Sequence, residues 1–172
     1  SQVRSDYLEY NLSPFEIQYD ENRQFFTEGT ELFKKAGLLY SRRIGQVPFF
    51  YNQLFSLLQP GEEILKIDSK SKLLNASKVS GRTNAGLGIG VFNAIVGKSY
   101  AEIRGTDGQI RKELSNPLTN YNVLVFDQNL KNHSSVTFTN TSVLRSGTAY
   151  DAMVSGIRLD LKDKENDYEF KS

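Results

Sequence analysis

The sequence predicts a mainly β protein. It reads as an antiparallel up-and-down meander of about seven strands, part of a transmembrane β-barrel, with a short helical and irregular N-terminal block packed on the inner face. Three observations predict this. Apolar and polar residues alternate in runs from Leu73 onward, the period of strands with one apolar face. The links between those runs alternate between short and long, as where tight turns gather at one end of a barrel and loops at the other. Residues 1–37 carry helix signals instead.

In order, Tyr7–Leu12 is an extended candidate without a clear face. Ser13-Pro14-Phe15-Glu16 is a capping box with proline at the first helical position, in which Ser13 accepts from a free N–H and Glu16 reaches back. A second helical run, Glu31 to Ala36, stops at Gly37, with Lys34 and Lys35 at the negative end of its dipole. Leu38–Ile44 reads as the first strand. From Gln46 to Ser71 the chain makes a long excursion. Within it Leu54, Phe55, Leu57 and Leu58 follow Pro48-Phe49-Phe50-Tyr51 at helical spacing, and Pro60-Gly61 turns the chain.

Leu73 to Thr83 is a strand ending in the hairpin turn Asn84-Ala85-Gly86. Leu87, Ile89 and Val91 then alternate with Gly88 and Gly90, so one face is bulky and the other nearly bare, in a strand running to about Val96. Residues 97–118 hold a ribbon, Tyr100–Arg104 and Gln109–Glu113, about an Asp107-Gly108 tip. In Thr119 to Leu130, Tyr121, Val123 and Val125 oppose Asn120, Asn122 and Gln128. Val136 and Phe138 alternate with Thr137, Thr139 and Thr141. Met153, Ile157, Leu159 and Leu161 oppose Gly156, Arg158, Asp160 and Lys162, and Tyr168 opens a further strand.

Short links (84–86, 131–134, 163–167) thus alternate with longer ones (45–72, 97–118, 145–150), which puts every short turn at one end of a meander. Seven is not an even strand number, as single-chain bacterial barrels use, and the pattern stops inside a strand. The chain is therefore expected to be part of a larger sheet, its first and last strands unpaired with each other. Leu87, Ile89, Val91, Ile157 and Leu159 should face outward, and the glycine face should cradle residues 13–37.

Composition narrows the partners. Lysine and arginine number 21 against 20 acids in 172 residues, so no net field draws nucleic acid. There is no cysteine for disulfides or thiolate metal sites. No run reaches the ~18 apolar residues of a spanning helix, and Ser1-Gln2-Val3-Arg4 does not open a signal peptide. A mean hydropathy of −0.45 is compatible with a barrel, because only alternate strand residues meet lipid.

Carboxylates cluster at Glu16, Asp20, Glu21, Glu28 and Glu31. A pair such as Glu28 and Glu31 could serve acid–base hydrolysis of a glycosidic bond. The favoured reading is structural: an ion-pair cluster of Arg23, Glu28, Glu31, Arg42 and Arg43, because buried charges must be matched. His133 sits in a tight turn without the partners a triad or metal site needs. Gly86-Leu87-Gly88-Ile89-Gly90 lacks the lysine and helix of a phosphate loop. No metal or cofactor is expected, and catalysis is disfavoured.

The block Asn11–Phe33, NLSPFEIQYDENRQFFTEGTELF, followed by Leu38–Gly45, LLYSRRIG, resembles a family of Gram-negative outer-membrane β-barrel proteins of unknown function. The resemblance continues through Ala76–Thr83 and Asn116–Tyr121. Full-length members of that family usually follow a module similar to family-9 carbohydrate-binding domains. The resemblance implies an outer-membrane location, lipid and the remaining strands of the same barrel as partners, and handling or passage of a glycan-related ligand. It implies no reaction. The rivals are a carboxylate-dependent glycan hydrolase and a soluble all-β binding module that uses the aromatic loop 48–58 as its contact surface.

Overall fold

The computed structural model describes residues 30–35, 44–162 and 169–171. The helix expected at Ser13 and residues 38–43 of the expected first strand lie outside them. Ile44, the last residue of that strand, stands in a turn with Gly45. Two short helices are described, α1 (Glu31–Lys34) and α2 (Tyr51–Ser56). The strands are β1 (Glu63–Lys66), β2 (Leu73–Arg82), β3 (Leu87–Val96), β4 (Ser99–Arg104), β5 (Ile110–Asn116), β6 (Thr119–Asn129), β7 (Ser135–Arg145), β8 (Ala152–Lys162) and β9 (Glu169–Lys171).

Among the described residues the larger sheet is an antiparallel meander in the order β2-β3-β6-β7-β8-β9. Its two outermost described strands, β2 and β9, do not pair with each other. The pairing expected to be absent, between Leu38–Ile44 and the last strand, falls on residues 38–43, outside the described ones. The short links Thr83–Gly86 and Leu130–Ser134 lie at one end. The 97–118 excursion and the 146–151 loop lie at the other, since Leu73, Val96, Thr119 and Arg145 share that end of the register.

Alternation sorts the side chains as the sequence predicts. Phe92, Ala94 and Val96 of β3 and Val123 and Val125 of β6 are buried on one face, where Leu32 and Phe33 of α1 close the core together with Ile44. On the opposite face Val79, Met153 and Ile157 are 72%, 73% and 65% exposed. Ile89, Val91 and Phe126 are also exposed there, so no second sheet among the described residues covers them. The packing expected of residues 13–37 holds for 30–35. The outward face also carries amides: Asn93 Nδ2 donates to Asn120 Oδ1 at 2.6 Å and to Asn122 Oδ1 at 2.7 Å.

The smaller sheet, β1-β4-β5, is the predicted ribbon plus one strand. The sequence reading places no strand between Pro60 and Ser71. Glu63–Lys66 nevertheless joins the ribbon edge, with Ile64 opposite the buried Ile103. Arg111, half-buried on β5, donates to Glu62 at 2.8 Å and to Glu113. The Arg111 hydrogen bond holds the Glu62 carboxyl below its ordinary range.

Two devices tie the loop end together. Buried Asn116 accepts from the Phe49 N–H at 3.0 Å and donates to the Gly97 and Pro117 carbonyls at 3.0 and 2.8 Å. The Arg145 guanidinium lies 4.6 Å from the Phe49 ring centre and 5.0 Å from that of Tyr150, while Nη1 donates to the Tyr150 carbonyl at 2.6 Å. Exposed cation–π contacts contribute about 0.5–1 kcal/mol each. Arg145→Ala should therefore speed amide exchange in residues 146–151 by roughly tenfold. Unchanged exchange there would show that the clamp carries no energy.

Candidate functional site

The site grows from a parity conflict. Tyr121, Val123 and Val125 put the odd residues of β6 on the core face, so the strand alternation carries Asp127 inward as well. It is fully buried, and a buried carboxylate must be paired and hydrogen-bonded. Four contacts do this. Lys35 Nζ donates to Oδ1 at 2.9 Å and to Oδ2 at 2.8 Å, Arg82 Nη2 donates to Oδ2, and Thr137 Oγ1 donates to Oδ1 at 2.7 Å. Burial pushes the Asp127 pKa up, but the hydrogen bonds from Lys35, Arg82 and Thr137 and the Lys35 charge outweigh it. The net result is a carboxyl held below its ordinary range.

Each partner has a structural reason for its place. Arg82 ends β2 on the inner face, opposite Gly88, and its Nη1 donates to the Gly86 carbonyl at 2.7 Å, which spans the hairpin turn. Thr137 faces Asp127 directly across the β6–β7 ladder. Lys35 caps the C-terminal end of α1, and its own carbonyl accepts from Arg158 Nη1 of β8 at 2.9 Å.

Glycines make the seat for α1. A Cβ on Gly90 would stand 3.1 Å from Phe33 Cε1 and Cζ, and one on Gly88 would stand 3.0 Å from Leu32 Cδ2. The bare face of β3 is therefore a slot for two side chains. Phe33 also meets Phe92 edge-on at 6.4 Å.

Beside α1 a half-open cleft of about 230 Å³ is lined by Glu31, Leu32, Lys35, Ser80, Gly81 and Arg82. Of the residues the sequence singles out, Glu31 lines this cleft from the first turn of α1 and is exposed. Arg23, Glu28, Arg42 and Arg43 lie outside the described residues. The described cluster instead unites Lys35, Arg82, Asp127 and Thr137. One signal could have found it: an acid on the apolar parity of β6 requires a cation from elsewhere. His133 is exposed in the Leu130–Ser134 turn with φ 57°, and Gly86–Gly90 leads into β3. Among the described residues no group of three His, Asp or Glu side chains could hold a metal, and no helix is long and apolar enough to cross a membrane.

A family model described as a domain of unknown function (DUF5916) matches residues 1–172. Neither a curated protein nor a solved structure matches the chain.

Proposed function

The chain belongs to the DUF5916 family, and from that premise we propose that it forms part of the wall of a transmembrane β-barrel in a Gram-negative outer membrane. Residues 30–35 lie on the lumen side in this reading, and lipid and further strands of the same barrel are the partners. One observation carries it: the sheet turns its exposed aliphatic side chains away from its core while a fully buried, ion-paired carboxylate sits on the core face. A soluble sheet with one wet face turns mainly polar side chains to water, whereas here Val79, Met153 and Ile157 stand exposed on the face opposite the apolar core. Strand length supports the same reading. β2 and β3 have 10 residues and β6, β7 and β8 have 11, which suits strands that cross hydrocarbon at a tilt in about 9–11 residues.

These 172 residues contain no cysteine, so single labels can be placed in them. Spin labels at Ile89→Cys, Phe126→Cys and Ile157→Cys in the intact protein, reconstituted in lipid vesicles, should collide with oxygen in preference to a water-soluble nickel chelate. A label at Ser80→Cys should show the opposite preference. Water access at all four positions would overturn the barrel reading and favour a soluble binding module.

A further inference from the structure

We propose that the cleft between α1 and β2 binds a compact oxyanion, a carboxylate or phosphate group, against the Lys35–Arg82 pair. The cleft exists whether or not the sheet stands in a membrane, so the proposal does not depend on the barrel reading.

The cation pair favours an anion. Asp127 offers one negative charge to the two cations in front of it. Glu31 in the lining brings the whole group to neutrality, so the attraction comes from direct contact with Lys35 and Arg82 and not from a net charge. Both cations remain reachable, since the Lys35 and Arg82 side chains are 35% and 34% exposed while the carboxylate behind them is fully buried. Arg82 has further donors to offer. Of the five N–H groups of a guanidinium, the bonds to Asp127 and Gly86 use two. Ser80, two residues earlier on the same strand face, adds a hydroxyl to the lining.

Pre-organisation favours it too. Asp127 and the Gly86 carbonyl already fix the Arg82 side chain, and Asp127 with α1 fixes Lys35. Little rotamer entropy remains to be lost when a ligand arrives. Arg82 can present a flat fork to a carboxylate or phosphate, and Lys35 a point charge beside it. The volume suits a phosphate or a small hydroxy acid.

Glu31 sets the selectivity and supplies the decisive test. Glu31 lines the same cleft, so its carboxylate opposes a bound anion while accepting hydrogen bonds from hydroxyl groups of the ligand. A hydroxylated acid such as glucuronate should therefore bind more tightly than acetate, and neutral glucose should not bind.

The test is titration of the intact protein with inorganic phosphate, acetate, glucuronate and glucose at fixed ionic strength, read by calorimetry. Phosphate and glucuronate should bind with 1:1 stoichiometry. Glu31→Gln should tighten phosphate by about threefold to tenfold through loss of like-charge repulsion. Ser80→Ala should weaken phosphate and glucuronate several-fold with an unchanged melting temperature, which separates loss of a donor from loss of fold. Phosphate binding that neither variant alters, or the absence of any saturable anion binding to the wild type, would overturn the proposal.

Discussion

Asp127→Ala is expected to destabilise the protein by about 3–5 kcal/mol, the usual cost of removing one member of a buried ion pair. The value should fall toward the lower end, because Lys35 and Arg82 can rehydrate through their one-third exposed side chains. Asp127→Asn keeps an acceptor for Thr137 but removes the charge, and so separates the two contributions. The pH dependence follows from the depressed pKa. A carboxyl whose folded pKa lies below its unfolded value stabilises fully above the unfolded pKa, near 3.9. That contribution is lost as pH falls through the folded pKa. Wild type and Asp127→Asn should therefore differ most in denaturant midpoint near pH 7 and converge in acid, below the ordinary carboxylate range. A gap that stays constant into acid would mean that Asp127 acts through packing rather than charge.

The sheet was legible because its information is local. Leu87, Ile89 and Val91 against Gly88 and Gly90 state both faces of β3 within five residues, and the register carries that parity across β6 and β7. The turns at 84–86 and 131–134 and the Asp107-Gly108 ribbon tip were likewise written in short stretches. The ion cluster was not, because Lys35 and Arg82 lie 92 and 45 residues from Asp127. Sequence gives no distance between such groups. It gives only the demand, an acid on an apolar face, and the dense charges of residues 16–31 draw attention away from that single residue. β1 was missed for a related reason. Glu63-Ile64-Leu65-Lys66 is too short to show a period, and it becomes a strand only because the β4–β5 ribbon offers it an edge.

The seat for α1 yields the second large effect. Phe33→Ala should cost about 3–5 kcal/mol, since Phe33 is fully buried against β3 and its loss leaves a cavity. Gly90→Val adds volume to the same slot, where a Cβ already stands 3.1 Å from the Phe33 ring. Overpacking of that kind costs about 1–3 kcal/mol, against up to about 1 kcal/mol regained from the better strand propensity of valine. Gly81→Val is the matched control. It gains the same propensity on β2, and no atom lies within 4 Å of its added Cβ, so it should be neutral or stabilising. The double variant Phe33→Ala with Gly90→Val decides between a general strand effect and a specific seat. With the ring gone, valine fills part of the vacated slot, and the second substitution should cost at least 1 kcal/mol less than it does in wild type, a coupling expected of touching residues. Additive costs, or a Gly90→Val as harmless as Gly81→Val, would mean that the bare face of β3 is not what holds α1. The segment would then be held instead by polar ties such as the Lys35–Asp127 pair and the Arg158 bond to the Lys35 carbonyl.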